Sequence, residues 1–435
     1  MLNVLKRLYS YTLCVLAYGK QFSESFRMFS GIRQGAASSV LLFIAFVDDL
    51  IDYLEERCPV EPITQTLHCL LHADDTAIVS SNRNQFTNKC NHMLEYFSDN
   101  LLLLNLDKSG FIIIDPTGME KKSDIFLNNG ILEYKSIITY LGAKISDTGK
   151  ISNDVELYVA EKRSNITIKF ANFCRTNFLA PLRTKFKVLN SCVSSSLTYG
   201  CESWGAANFN SIETSYRQGL RTALSIRPTV NNEILYIESG GYPLSLKITR
   251  QQLKFWLSLQ SKLDNPSHYI TKIVGLAEQL NIKYIDYYKS LAQRYENVTR
   301  CEKTLQKEFE SKIDVKIRSE AIRDRNSRLG SYLLINPSLK TPDFKNVLEF
   351  QRISMTRYRT GSHYLKIESG RMQPRIAREE RLCKCNNDIQ TLEHCLLNCT
   401  LLENIRAKYN VDSIESGVHD ADFLHEMERI LELKC

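Results

Sequence analysis

The sequence predicts an α+β protein: β-hairpins packed on helices over residues 1–150, a mostly α-helical middle, and a small cysteine–histidine module near the C-terminus. Three patterns carry that prediction. Before residue 150, short apolar and partly β-branched runs alternate with turn residues and amphipathic stretches. From about 150 to 330 the periodicity is almost entirely helical, with basic residues on the polar faces and Pro228, Pro243 and Pro266 marking breaks. The only clustered cysteines of the chain then follow, from Cys383 to Cys399.

The elements follow in order. A helix over 2–18 leads to an extended piece at Ser25–Phe29, then to a loop in which Gly31 and Gly35 flank Arg33 and Gln34. A strongly apolar helix runs from Ser39 to Glu56. Two short apolar flanks, 66–71 and 76–80, enclose Ala73, Asp74 and Asp75 as the tip of a hairpin. A helix over 84–100 places Phe86, Cys90, Met93, Leu94 and Phe97 on one face. The turn Asp107-Lys108-Ser109-Gly110 precedes a strand from Phe111 to Ile114, and a hairpin over 131–145 carries Tyr140, Leu141 and Gly142.

Composition narrows the setting. The 435 residues suffice for two or three domains with real cores, and 43% hydrophobic with 24% charged content is ordinary for a globular chain. A net charge of +7 is compatible with nucleic acid without demanding it. The 13 cysteines, an odd number, favour reduced thiols over a disulfide framework. The start imitates a signal peptide, but Tyr9 to Thr12 interrupt its apolar core, so an amphipathic helix is expected. No stretch approaches 18 uninterrupted apolar residues, and the expected setting is intracellular, in cytoplasm or nucleus, with no membrane partner.

Three groups carry chemistry. Adjacent carboxylates at a turn persist either because water screens them or because a cation bridges them, and Asp74-Asp75 is such a pair. Cys383-x-Cys385-x8-His394-x4-Cys399 has the count and ligand types of a closed zinc site; reduced core cysteines are the alternative, and Cys395 is a spare thiol. Over 357–384, eight Lys or Arg face three Glu. Arg357, Arg359, Lys366, Arg371, Arg375, Arg378 and Arg381, interleaved with Tyr358, His363 and Tyr364, suit a nucleic-acid backbone with occasional base stacking; a solvated helix face fits the same residues.

In order and spacing these segments resemble the palm of a reverse transcriptase of the non-LTR (LINE-type) retrotransposon kind. Gly31 to Phe43 looks like the family's motif B, Leu71-His72-Ala73-Asp74-Asp75 like motif C, Leu104 to Ser109 like motif D, and Tyr140-Leu141-Gly142 like motif E; Tyr199 to Trp204 is also similar. The resemblance implies a partial palm (1–150), a helical thumb-like region (151–265), a helical basic linker (266–375), a zinc-knuckle-like module (376–410) and an acidic helical tail (411–435). It implies Mg²⁺ on Asp74 and Asp75, Lys108 at the triphosphate, and Arg33, Gln34, Gly35 and Ala73 at nucleotide and template. Tyr140, Leu141 and Gly142 would grip the primer, and Cys383, Cys385, His394 and Cys399 would hold Zn²⁺. The partners would be an RNA template, a DNA primer or target and dNTPs.

Two departures qualify the enzyme. His72 stands where the family usually has Tyr or Phe. Motif B begins at Gly31, so the motif A aspartate and the fingers are missing, and an N-terminally truncated, inactive polymerase is expected. Asp48 and Asp49 fall on the predicted helix 39–56 and are expected to be solvated. A nucleic-acid-binding protein without catalysis, or a non-functional mobile-element relic, are the alternatives.

Overall fold

Among the described residues, the strands of the first 149 residues pair two by two and never extend into a wider sheet. The computed structural model describes residues 2–29, 31–33, 35–36, 38–59, 69–115, 117–207, 209–266, 268–279, 282–325, 327–344, 347–372 and 374–433. It divides into two compact units, Met1–Gly149 and Lys150–Cys435.

In the first unit, helix α1 (Leu2–Ser10) is shorter than predicted. The chain turns at Tyr11 into strand β1 (Thr12–Cys14), then β2 (Ala17–Tyr18), β3 (Gln21–Phe22) and β4 (Phe26–Met28), with β1 antiparallel to β4 and β2 to β3. The predicted single helix over 39–56 is two, α2 (Ser39–Phe46) and α3 (Leu50–Arg57), broken at Val47–Asp49. Helix α2 is apolar nearly all round, and Val40, Leu41, Ile44 and Phe46 are exposed.

Strands β5 (Cys69–His72) and β6 (Asp75–Ile78) form the acidic hairpin. Helix α4 (Arg83–Asp99) follows, and its start is legible: the Asn82 side chain accepts from the Gln85 amide at 3.0 Å, a cap worth about 1 kcal/mol. Its apolar face buries Cys90, Met93 and Leu94. Two small cores result. Leu50, Leu54, Cys58, Cys69, Met93 and Tyr96 join α3, α4 and the acidic hairpin. Cys90, Leu94, Phe111, Ile125, Leu127 and Leu132 join α4 to a second hairpin, β7 (Ile125–Leu127) with β8 (Gly130–Leu132). The predicted strand at 111–114 is only a bridge from Phe111 to Tyr134, and the last hairpin pairs β9 (Ile137–Tyr140) with β10 (Ala143–Ser146).

The second unit is helical. Its largest core runs from Val155 to Tyr332 and includes Leu189, Ile212, Leu224, Leu235 and Ile248, all fully or nearly fully buried. The turn Tyr199–Trp204 lies in it: Gly200 takes φ 73°, which glycine adopts without strain, and Gln252 Nε2 donates to the carbonyls of Cys201 (3.0 Å) and Gly205 (2.9 Å). A separate core extends from Ile335 to Leu431 and contains Cys383, Cys395 and Cys399 beside Met355, Phe423 and Met427. No described helix is long and apolar enough to cross a membrane.

Candidate polymerase hairpin and metal centre

The register of β5 and β6 pairs His72 with Asp75, so the turn is two residues, Ala73 and Asp74. Asp75 is therefore the first residue of β6 rather than part of the tip. Ala73 sits at φ 52°, in the left-handed region where a side chain is strained by about 1 kcal/mol or more. Asp74 and Asp75 are both exposed. Buried Lys89, on α4, donates from Nζ to the Val79 carbonyl at 3.1 Å and ties the outgoing strand to the helix.

The β9–β10 hairpin turns through Leu141 (φ 47°) and Gly142 (φ 79°), both left-handed, as a type I′ turn requires. Its Tyr140 lies within electrostatic reach of the acidic hairpin: burial first, then the charge of Asp75 and then Cys69, push the phenol up. Lys108 is exposed in its turn, with its amide bonded to Asn105.

Gly31 and Gly35 take φ 87° and 81°, with open space where a Cβ would stand, so conformation rather than close approach selects glycine there. Between them Arg33 bonds Thr12 Oγ1 from Nη2 at 3.2 Å and its guanidinium lies 5.6 Å from the Tyr9 ring centroid. Gln34 lies outside the described residues.

Asp48 and Asp49 are exposed, as expected, but they stand at the break between α2 and α3 rather than within one helix, and Asp49 accepts the Tyr96 hydroxyl. Burial and that bond push the Tyr96 phenol up. Among the described residues no third carboxylate or imidazole joins Asp74 and Asp75 as a ligand group. The pair suits one Mg²⁺ with water and phosphate oxygens; a two-ion site asks for more.

The cysteine cluster is compact. The ligand atoms of Cys383, Cys385, His394 and Cys399 all lie within 4.8 Å of one another. Cys383 Sγ is 3.7 Å from Cys399 Sγ, and Cys385 Sγ is 3.2 Å from His394 Nε2. Tetrahedral zinc with Zn–S bonds of about 2.3 Å puts its sulfurs about 3.8 Å apart, so this donor set fits the ion. Local structure holds it: Cys383 N donates to the Asp388 carbonyl at 2.8 Å, Asn386 makes the knuckle turn at φ 59°, and His394–Asn398 winds as one π turn. Asp388 Oδ2 stands 3.9 Å from His394 Nδ1, on the side away from the sulfurs. Fully buried Cys395 lies outside the four. The neighbouring Cys395 thiol pulls the Cys383 thiol down, while burial pushes Cys399 up.

The basic segment divides. Arg375 and Arg378 are exposed, Lys366 is exposed with Nζ on the Leu382 carbonyl at 2.9 Å, and Arg371 pairs with Glu368 at 3.2 Å. Two predicted backbone contacts are corrected. Arg359 is 2% exposed because its guanidinium embraces Glu238, and Arg381 is buried with its guanidinium on the carbonyls of Ile376 and Ile367. Tyr358 and His363 are buried and stacked at 5.1 Å, which removes both from base stacking. Half-buried Arg357 lies over half-exposed Tyr364 at 5.8 Å.

Residues 3–145 match the family model described as reverse transcriptase (RNA-dependent DNA polymerase), and no curated protein matches the chain. The match spans α1 through β10 nearly in full and includes the acidic hairpin, the Lys108 turn and the Tyr140 hairpin. Residues 3–145 are thus similar to the reverse transcriptase family.

Proposed function

We propose that this chain is a nucleic-acid-binding protein of the LINE-type retrotransposon reverse transcriptase lineage, with little or no polymerase activity by itself. The carrying observation is the match of residues 3–145 to the reverse transcriptase model, within which Tyr140 lies in electrostatic reach of Asp75. Asp74 and Asp75 hold Mg²⁺, an ion that neutralises triphosphate oxygens. Lys108, exposed in its turn, meets a dNTP triphosphate; Arg33, Gly35 and Ala73 contact nucleotide and template; Leu141 and Gly142 shape the primer-facing turn. Without a third carboxylate among the described residues, the two-ion geometry is unfixed and chemistry by this chain is slow or absent.

Cys383, Cys385, His394 and Cys399 hold a structural Zn²⁺ that stabilises the core from Ile335 to Leu431. Exposed Lys366, Arg371, Arg375 and Arg378, with half-buried Arg357, contact the backbone of an RNA template or DNA target. Binding of an RNA–DNA primer-template, followed by fluorescence anisotropy over a salt series, tests this reading. Affinity should fall steeply as salt rises; salt-independent binding, or none, contradicts it.

A second reading drops the metal at the hairpin, and the exposure of both aspartates favours it. Binding would then be indifferent to Mg²⁺ and to Asp74→Ala.

A further inference from the structure

Four arginines from separate stretches of the second unit converge around His363 and Tyr364. Arg227 follows the helix Asn210–Leu224, Arg328 opens the helix Arg328–Ile335, Arg357 lies in the helix Glu349–Arg359, and Arg371 follows the short helix Lys366–Ser369. The Arg227 amide donates to Ser362 Oγ at 2.8 Å, and its guanidinium lies 5.0 Å from the Tyr364 ring centroid. Arg357 lies over the same ring at 5.8 Å and donates from Nε to the Ser225 carbonyl at 3.3 Å. Arg328 Nη1 reaches the Thr229 carbonyl at 2.7 Å.

One carboxylate answers these four charges. Glu368 takes Arg328 on Oε2 at 3.1 Å and Arg371 on Oε1 at 3.2 Å. Among the described residues, Arg227 and Arg357 pair with no acid. Two polar atoms beside them are buried without a partner: Arg227 Nη2 and His363 Nδ1. His363 is 3% exposed, and burial followed by the charges of Arg227, Arg371 and Arg328 pulls its imidazole down to about 3. It is therefore neutral at pH 7, with a ring N–H to donate.

A buried guanidinium N–H without an acceptor is costly, and four arginines against one carboxylate, a net of three positive charges, make the deficit one of anion rather than of water. A phosphate supplies several acceptors in the geometry that a guanidinium fork fits. We propose that Arg227, Arg357 and His363, backed by Arg328 and Arg371, form a binding site for one phosphate of a nucleic-acid backbone. The site rests on the nucleic-acid reading above and adds two residues, Arg227 and Arg328, that lie far from the basic segment in sequence. Tyr364, half exposed between two guanidiniums, marks its rim.

The test is a salt series on single-stranded oligonucleotides with the full chain and its Arg227→Gln/Arg357→Gln variant. Loss of one phosphate contact should lower the slope of log K against log salt by about 0.7 and weaken binding about fourfold at 0.15 M salt, alike for all sequences. Arg227→Lys/Arg357→Lys should keep the slope. A folded glutamine variant with unchanged slope overturns the phosphate site and leaves the nucleic-acid reading standing; a wild-type chain that binds no oligonucleotide overturns both. A further arm needs no variant: inorganic phosphate, against chloride of equal ionic strength, should raise the wild-type melting temperature, and no rise overturns the site. A rise without oligonucleotide binding assigns the site to free phosphate and overturns the backbone assignment.

Discussion

Replacing Arg359 by Met tests whether this arginine serves the fold or nucleic acid. Arg359 and Glu238, 121 residues apart in sequence, are each 2% exposed and meet through Nε and Nη2 at 2.8–3.1 Å. The Tyr332 hydroxyl donates to the same carboxylate at 2.6 Å. On the far side, His419 donates from Nδ1 to the Glu415 carbonyl at 2.7 Å, so its Nε2 accepts from Arg359 Nη1 at 2.6 Å. Arg359→Met leaves Glu238 buried without its cation. Breaking one partner of such a pair costs about 3–5 kcal/mol, which in a unit of this size lowers the melting temperature by roughly 6–20 °C. Replacing both, as Glu238→Leu/Arg359→Met, should recover much of that loss because the desolvation penalty goes with the pair. Urea unfolding measures both variants against Arg378→Ala, an exposed change expected to stay within about 0.5 kcal/mol. A loss below about 1 kcal/mol for Arg359→Met refutes the assignment of this arginine to the core.

Three further outcomes are expected. His363, pulled from 6.5 to about 3, stays neutral when folded, so its contribution is complete above about pH 6.5 and is lost as pH falls towards 3. Its share of the decline, up to about 1.4 kcal/mol per pH unit, should vanish in His363→Asn urea melts; an unaltered pH slope contradicts it. Leu141→Asn should stabilise the first unit by about 0.5–1 kcal/mol, since Asn tolerates the left-handed turn position that Leu141 occupies at φ 47°, and a destabilised variant in thermal melts speaks against this turn. Metal analysis should find one zinc per chain, kept in Cys395→Ser and lost in Cys383→Ser; loss in both would make Cys395 a ligand.

Local signals were legible where a residue and its partners lie close in sequence. The face Cys90–Met93–Leu94 follows from helical periodicity, and the acidic hairpin from the short apolar flanks on either side of Asp74. Helix ends were less so: α1 stops at Ser10, where the apolar pattern runs on into β1, and Val47–Asp49 breaks a run whose composition is helical throughout. The fate of the arginines was hidden. Arg359 and Arg357 are two residues apart in one basic stretch, yet Glu238 buries one while the other reaches Tyr364. Likewise Arg227 joins Tyr364 across more than a hundred residues, a pairing no local pattern encodes. For the metal ligands, residue type together with the family resemblance named the four residues whose atoms come together, and Cys395 was separable from them only by geometry.

Primer extension on an RNA template with Mg²⁺ and dNTPs measures the central claim most directly. The chain should bind the primer-template and extend it little or not at all, with Asp74→Ala indistinguishable from wild type. Robust extension that disappears in Asp74→Ala would contradict the account.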